Sequence, residues 1–250
     1  MLFRFGATEI SVTHPDKASV LAAVAARLAA GQGFGLVTIN LDHLVKLGTD
    51  LSFRAAYAAQ DMVVADGNPI VWLSRLARRP VTLVPGSDLL LPLVATATRA
   101  GRSVALLGTT DDVLAAARIR ITAEVPGVRF GPCIAPPPGF DPEGADARDM
   151  LAQVAAMGPG LCVLALSAPR QERLAALGRQ VAPHIGFAGL GAGIDFLAGQ
   201  QSRAPQWVRK LALEWLWRAL SQPRRLMPRY ATCAAILPGQ VVRAWRLRRA

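Results

Sequence analysis

Short β-rich runs alternate with longer segments rich in Ala and Leu through most of this chain of 250 residues. The strands that this pattern predicts are residues 35–39, 61–65, 81–84, 103–107, 128–132, 161–166 and 185–189. The predicted helices are residues 42–60, 69–78, 87–100, 110–124, 142–157 and 169–182. Strands and helices that alternate at this length form βαβ units. The sequence therefore predicts an α/β fold, with a Rossmann-like, mostly parallel sheet and helices on both faces.

The alternation ends near Gln200, and only a helical pattern continues beyond it. We therefore predict a body at residues 1–200 and a helical appendage at residues 201–250. The formal net charge of +11 lies almost wholly in the appendage, which holds eleven Lys and Arg residues against Glu214 alone. The appendage also holds four of the five tryptophans: Trp207, Trp215, Trp217 and Trp245.

A segment this basic attracts polyanions, and the candidates are nucleic acid, an anionic membrane surface and the phosphates of a substrate. Arginines interleaved with Trp and Leu are more typical of a helix among lipid headgroups than of a helix in a DNA groove. We therefore expect a membrane surface as partner, and no nucleic acid. The other interpretation is that the apolar residues dock the appendage on the body while the arginines form a solvated face. Both interpretations can hold together.

The cysteines and the apolar segments bear on where the chain resides. Cys133, Cys162 and Cys233 are widely separated and form no CxxC pair, which favours a reducing compartment. The first residues lack a signal-peptide pattern, and no apolar stretch reaches the roughly 20 residues that a membrane-spanning helix needs. We therefore expect a cytoplasmic location.

Motifs for metals and cofactors are scarce. His14, His43 and His184 have no acidic or Cys neighbours at ligand spacing, so we expect no metal and no cofactor. The glycines of residues 189–193 follow a GxGxG spacing, whereas the dinucleotide fingerprint is GxGxxG. A glycine-rich turn still lets backbone amides approach a phosphate group. A nucleotide diphosphate ligand and a merely tight turn therefore both stay open.

Polar and glycine residues follow several predicted strands, at the edge where open α/β sheets bind their ligands. The candidate binding positions include Thr38, Asn40, Asp66, Gly108, Gln171, Gly191 and Asp195. Asp66 stands between a buried strand and the turn at residues 67–69, where a carboxylate could act as a general base. The alternative is that Asp66 caps the helix that begins near Pro69.

Several of these loops resemble the WecG/TagA/CpsF glycosyltransferases, family 26. The resemblance runs from about Thr38 to Tyr230, with its elements in the same order. The segments that carry it are Thr38-Ile39-Asn40, Ala65-Asp66-Gly67-Asn68-Pro69, Gly86-Ser87-Asp88-Leu89, Ala168-Pro169-Arg170-Gln171-Glu172, Gly191-Ala192-Gly193-Ile194-Asp195-Phe196, Arg203-Ala204-Pro205-Gln206-Trp207, Leu213-Glu214-Trp215-Leu216-Trp217-Arg218 and Gln222-Pro223-Arg224-Arg225.

The resemblance implies a bacterial, inverting and metal-independent enzyme. It would move a sugar, typically N-acetylmannosamine or its uronic acid, from a UDP donor to a polyprenyl-diphosphate-linked sugar. The enzyme would be cytoplasmic and peripherally attached to the inner membrane, where its C-terminal helices meet the lipid and complete the active site. The closest alternative is a glucosyltransferase of exopolysaccharide assembly, and a different class is a non-catalytic protein that binds membranes or polyanions. Homo-oligomerisation stays open.

The resemblance also assigns roles to residues by position. Asp66 would be the general base that takes the proton of the acceptor hydroxyl. Arg218 and Arg225 would face the diphosphates, for which the planar guanidinium group is well suited. The residues that would line the sugar pocket are Thr38, Asn40 and Gln171.

Three positions depart from the family pattern. Leu83 lies in a stretch where many relatives carry an arginine, so a cation expected near the donor is missing. Either Arg79 or an appendage arginine substitutes for it, or the choice of donor differs. Arg170 replaces the usual lysine of a PKQE element and keeps its charge. A further basic position expected after Arg225 falls near Pro228, with Arg229 adjacent.

Overall fold

The computed structural model describes residues 1–200, 205, 208, 214–221 and 223–248. Within these ranges, the side chains of residues 214, 215, 218, 221 and 225 lie outside the description. The chain begins with an antiparallel hairpin of β1 (Leu2–Phe5) and β2 (Thr8–Ser11), followed by α1 (Lys17–Ala29). The alternating pattern of the sequence does not predict these three elements.

A six-stranded sheet forms the centre of the molecule. Its strands are β3 (Phe34–Ile39), β4 (Met62–Ala65), β5 (Ser103–Gly108), β6 (Phe130–Ile134), β7 (Gly160–Ala165) and β8 (Ile185–Gly189). They lie in the order β4-β3-β8-β7-β5-β6, and every pairing is parallel. This arrangement confirms the predicted Rossmann-like α/β fold.

Helices cover both faces of the sheet. The helices of the body after α1 are α2 (Leu41–Thr49), α3 (Leu51–Ala58), α4 (Asn68–Leu76), α5 (Gly86–Arg99), α6 (Asp111–Glu124), α7 (Ala145–Ala155), α8 (Arg170–Val181) and α9 (Gly193–Leu197). Successive strand residues point to opposite faces. In β7, Val163 packs with α1, α5 and α6, whereas Leu164 packs with α7 and α8. Both faces are therefore apolar, which explains the continuous hydrophobic runs of the strands.

Two predictions of secondary structure are wrong. Residues 42–60 form two helices, because the Asp50 carboxylate accepts a hydrogen bond from the Phe53 amide at 2.9 Å and caps a new helix there. Residues 81–84 do not form a strand. The Thr82 amide donates to Pro15 O and the Val84 amide donates to Ala65 O, both at 2.7 Å. These two hydrogen bonds go to different segments of the chain, so residues 81–84 do not form the repeated pairing of a β-sheet.

The described part of the predicted appendage includes α10 (Glu214–Ser221) and α11 (Pro223–Leu247). Helix α11 packs against α2 and α4. Near its C-terminal end, Ala244 is fully buried in the same core as Phe3 and Phe5 of the hairpin. Among the described residues, no helix has the length and apolar character needed to cross a bilayer.

Candidate active site

The carboxyl ends of β3, β4 and β8 bring together several of the candidate residues. Asn40 directly follows β3, Asp66 directly follows β4, and Gly191 lies two residues beyond β8. β3 is paired with both of the other strands, so Asn40 lies between the other two positions along the sheet edge. The edge formed by these strand ends and the loops that follow them is here termed the rim.

Asp66 lies half-buried at the rim. Its backbone amide donates to Ile39 O at 2.8 Å, which extends the pairing of β3 and β4 by one residue. Gly67 follows with φ at 139°, a conformation that other residues rarely adopt, and it occupies the N-cap position of α4. Asp66 therefore does not occupy the cap position that the alternative interpretation assigns to it.

Asn40 and Thr38 have structural contacts at the end of β3. The Asn40 side chain caps α2, because its Oδ1 accepts a hydrogen bond from the His43 amide at 3.0 Å. The Thr38 carbonyl accepts a hydrogen bond from the Tyr57 hydroxyl and lies 2.9 Å from His43 Nδ1. Thr38 itself is only 3% exposed, so its side chain lies beneath the surface of the rim.

A group of buried ionisable side chains lies under the rim. Burial lowers the pKa of His43 to about 4, so its imidazole is neutral at pH 7. Burial, and then the negative charges of Glu172 and Asp66, raise the pKa of the Tyr57 hydroxyl well above its ordinary value. The Tyr57 hydroxyl therefore stays protonated at neutral pH.

Gln171 holds the glycine turn after β8. Its Oε1 accepts a hydrogen bond from the Gly191 amide at 2.9 Å, and its Nε2 donates to Glu172 Oε1 at 2.9 Å. Glu172 is fully buried, and its Oε2 has no hydrogen-bond partner among the described residues. Burial raises the pKa of Glu172 to about 7. A carboxyl group that is partly protonated at neutral pH therefore supports the side chain that fixes the turn.

Gly108 ends β5 further along the sheet, and Asp195 is joined to the residue that follows it. Gly108 has φ at 130°, and a Cβ at this position would lie 2.4 Å from Ala165 O. Glycine therefore permits the close approach of β5 and β7. The next residue, Thr109, donates from Oγ1 to Asp195 Oδ1 at 2.8 Å. This hydrogen bond connects the end of β5 to the short helix α9.

A cleft of about 580 Å³ opens beside the rim. Its walls include Lys17 of α1, Ser87 and Asp88 of α5, and Gly193 and Phe196 of α9. Val84 also lines the cleft, and its amide donates to the residue immediately before Asp66. Of the predicted site residues whose side chains are described, none lines the cleft; Val84 links it to Ala65, the residue before Asp66.

The appendage reaches the rim through an ion-pair network. Arg229 Nε of α11 lies 3.1 Å from Asp42 Oδ1, and Lys46 Nζ donates to Asp42 Oδ2 at 2.7 Å. Lys46 Nζ also donates to Ala168 O at 3.1 Å, in the loop that precedes α8. Burial, and then the charge of Asp42, raise the pKa of the Cys233 thiol, which places Cys233 beside the same network. Asp42 lies only two residues after Asn40, so these contacts bring α11 to the edge of the rim.

A family model described as the WecG/TagA/CpsF family of glycosyl transferases matches residues 6–250. The chain belongs to this family. The match confirms the resemblance seen in the loop sequences, and it extends through the predicted appendage to residue 250. The protein is therefore a glycosyltransferase, and the family is associated with the synthesis of surface polysaccharides.

The predicted site residues of this glycosyltransferase fall into three groups. Asn40 and Asp66 lie together at the rim, Gln171 contacts Gly191, and Gly108 is joined to Asp195 through Thr109. Thr38 lies beneath the first group. The side chains of Arg218 and Arg225 lie outside the described residues, although the backbone places Arg218 in α10 and Arg225 in α11. Arg225 precedes Arg229 by four residues, so the two positions share one face of α11.

Sequence reasoning misses the buried partners of this glycosyltransferase site. His43, Tyr57 and Glu172 lie within helices, and nothing in the sequence distinguishes a buried carboxyl or imidazole from an exposed one. Asp42 and Lys46 show a recognisable signal, because their spacing of four residues on a helix favours an ion pair. In the described part of the chain, no group of three or more His, Cys, Asp and Glu residues could hold a metal ion.

Proposed function

We propose that this glycosyltransferase moves a sugar from a UDP-sugar to a polyprenyl-diphosphate-linked acceptor, with inversion at the anomeric carbon and without a metal ion. The observation that carries the proposal is the position of Asp66, a half-buried carboxylate at the carboxyl edge of the sheet, beside the cleft. The family favours a donor of the N-acetylmannosamine type.

The cleft beside the rim is our proposed site for the nucleoside diphosphate part of the donor. Its volume of about 580 Å³ falls in the range of small-molecule sites. Phe196 offers an aromatic surface for a base, Ser87 and Asp88 offer polar groups for a ribose, and Lys17 offers a positive charge. The sugar would then lie toward Asp66, because Val84 connects the cleft to the end of β4.

The proposed reaction is a single displacement. The acceptor hydroxyl attacks C1 of the donor sugar, the new C1–O bond forms as the bond from C1 to the phosphate oxygen breaks, and UDP leaves. The proton of the hydroxyl passes to the Asp66 carboxylate, which acts as general base. Attack opposite the leaving group inverts the configuration at C1.

The negative charge that develops on the departing diphosphate needs stabilisation. We propose that Arg218 and Arg225 supply it from the appendage. The contact between Arg229 and Asp42 supports this proposal, because it holds α11 against the rim and Arg225 lies one turn away on the same face. Arginines in the appendage would also replace the cation that is absent at Leu83.

We further propose that residues 201–250 form an appendage that attaches the enzyme peripherally to the inner face of the cytoplasmic membrane. Large apolar side chains are exposed on the described part of the appendage: Leu216, Trp217, Leu220, Met227, Val241, Val242 and Trp245. They alternate with exposed arginines, which is the composition of a helix that lies in a headgroup layer. An acceptor anchored in the same membrane would then be within reach of the rim.

A panel of UDP-sugars, incubated with the purified protein and a lipid-diphosphate acceptor, tests the proposal. We expect transfer from UDP-N-acetylmannosamine or its uronic acid; preference for UDP-glucose would replace the sugar assignment and keep the reaction. Protection against thermal unfolding by UDP provides an independent measurement. Absence of both transfer and protection would favour a non-catalytic membrane-binding protein.

A further inference from the structure

A second cavity lies far from the rim, where the N-terminal hairpin meets the end of α11. Its volume is about 240 Å³, and the polar side chains that line it are those of Arg4, Gln240, Arg243 and Arg246. Leu2 and Leu247 are among its apolar walls. Arg243 follows Arg229 by 14 residues of helix, a separation of roughly 20 Å at 1.5 Å per residue. This cavity, termed the headgroup pocket, is therefore separate from the active site.

The headgroup pocket is strongly basic. Arg243 and Arg246 lie one turn apart on α11, a helix that contains no Asp or Glu. Among the described residues, neither of these two arginines has a carboxylate within ion-pair distance. Arg4 does have one, because its Nε lies 2.7 Å from Glu9 Oε1, and both of these side chains are more than half exposed. At least two guanidinium groups are thus available to an anion.

The surroundings of the pocket indicate what kind of anion it fits. Val242 and Trp245 alternate with the two helical arginines, and their side chains are 49% and 42% exposed. Exposed Trp and Val side chains next to these arginines along the helix are unfavourable in water but are stabilised at a lipid interface. Gln240, which is only 7% exposed, adds a buried amide to the lining. The combination matches a phosphate group that carries an apolar body.

We propose that the headgroup pocket binds the phosphate of an anionic phospholipid. The guanidinium groups of Arg243 and Arg246 donate charge-assisted hydrogen bonds to the phosphate oxygens, while Val242 and Trp245 enter the adjoining lipid. This inference deepens the proposed membrane attachment, on which it rests, by assigning a discrete lipid site to the junction of hairpin and appendage. A diffuse basic surface would bind the same membranes without favouring particular arginines.

Vesicle binding by the full chain tests the assignment. The vesicles contain either phosphatidylcholine alone or phosphatidylcholine with phosphatidylglycerol, and the variants are Arg243→Gln and Arg246→Gln. Arg248→Gln is the matched control, because Arg248 is exposed on the same end of the appendage but does not line the pocket. We expect the control to weaken binding to the anionic vesicles about fivefold, as for one charge near a membrane. Each pocket variant should weaken it about 15-fold or more, because hydrogen bonds to the phosphate are also lost.

If all three variants lost the same affinity for anionic vesicles, the assignment of a discrete lipid site to the pocket would be wrong, and a diffuse basic surface would explain the binding. If the unmodified protein bound both kinds of vesicle equally, the assignment of an anionic phospholipid as the ligand would be wrong. Glycerol 1-phosphate distinguishes the source of the phosphate: it should compete only weakly, and saturable binding of it without vesicle binding would overturn the lipid assignment. Arg243→Lys, which keeps the charge but not the planar fork, should give an intermediate loss and retain the fold.

Transfer to a soluble acceptor analogue separates this inference from the proposed function. We expect both pocket variants to retain the turnover of the unmodified protein, since the pocket lies roughly 20 Å from Arg229. If the unmodified protein shows no transfer but the variants still differ in vesicle binding, the proposed function fails and the lipid site stands. If transfer occurs but the variants bind vesicles like the control, only the lipid site fails.

Discussion

Arg229 Nε lies 3.1 Å from Asp42 Oδ1, and this ion pair joins the appendage to the helix that begins at the rim. Asp42 is mostly buried and also accepts a hydrogen bond from Lys46, so one carboxylate receives cations from two helices. The contact explains how a C-terminal segment can take part in a site formed by the ends of the central strands.

Replacing Arg229 should loosen the contact between α11 and the rim, while the packing of α11 on α2 and α4 remains. We expect Arg229→Gln to lower turnover on a soluble acceptor analogue while lowering the free energy of unfolding by only about 1 kcal/mol, since the arginine is partly exposed and Asp42 keeps Lys46. Urea unfolding and initial rates measure the two effects. Arg224→Gln, an exposed position on the same helix, is the control; equal rates in both variants would argue against a role for this contact.

Asp66→Asn tests the proposed base. The amide keeps the size of the side chain but cannot accept the proton, so turnover should fall by roughly 10²- to 10⁴-fold. Thermal protection by UDP should persist, because the proposed nucleotide site lies in the cleft and Asp66 does not line it. Unchanged turnover would refute the assignment of Asp66 as general base.

Glu172 should make stability depend on pH in a defined direction. Its pKa rises from 4.5 to about 7 on folding, so between these values the folded protein binds the proton more tightly than the unfolded chain does. Stability from this group is complete below pH 4.5 and is lost as pH rises through 7. Glu172→Gln removes this pH-dependent loss of stability, so above pH 7 the variant should be more stable than the unmodified protein by on the order of 3 kcal/mol.

The comparison of Glu172→Gln with the unmodified protein is needed because His43 acts in the opposite direction. The pKa of His43 falls to about 4 on folding, so its contribution to stability is lost as pH falls from 6.5 toward 4. Urea unfolding at pH 5 and pH 8 gives the difference between the two proteins at each pH. A difference that does not grow with pH would contradict the buried, protonated state of Glu172.

Gly108→Ala should be strongly destabilising. The new Cβ would lie 2.4 Å from Ala165 O in a backbone with φ at 130°, so both a clash and a strained conformation result. We expect a loss of about 3 kcal/mol. Gly139→Ala is the matched control: φ is 77° and nothing lies within 4 Å of the new Cβ, so only the strain of about 1 kcal/mol applies. If the two variants lost the same free energy of unfolding in urea, the close approach of β5 to β7 would tolerate a side chain at position 108.

The central sheet is predictable from sequence because its strands are buried on both faces and read as continuous apolar runs. The segment at residues 81–84 has the same composition, but it lies between Pro80 and Pro85 and makes only isolated hydrogen bonds. The division of residues 42–60 into two helices cannot be predicted from the helical pattern, because it depends on the hydrogen bond by which the Asp50 carboxylate caps the second helix.

Part of the candidate site is predictable from the sequence, and part of it depends on packing between distant segments. Asn40 and Asp66 are predictable because each directly follows a strand, and strand ends meet at one edge. The contact between Asp42 and Arg229 is not, because it joins residues 187 positions apart through the packing of α11. The roles of Arg218 and Arg225 stay predictions from the family resemblance.

Helix α11 has 25 residues and carries Arg229 near one end and the headgroup pocket near the other. Contacts at both ends would make this helix a molecular ruler that sets the height of the rim above the lipid. The enzyme would then select an acceptor whose diphosphate lies at that height above the membrane, before any hydroxyl of the acceptor sugar contacts the site.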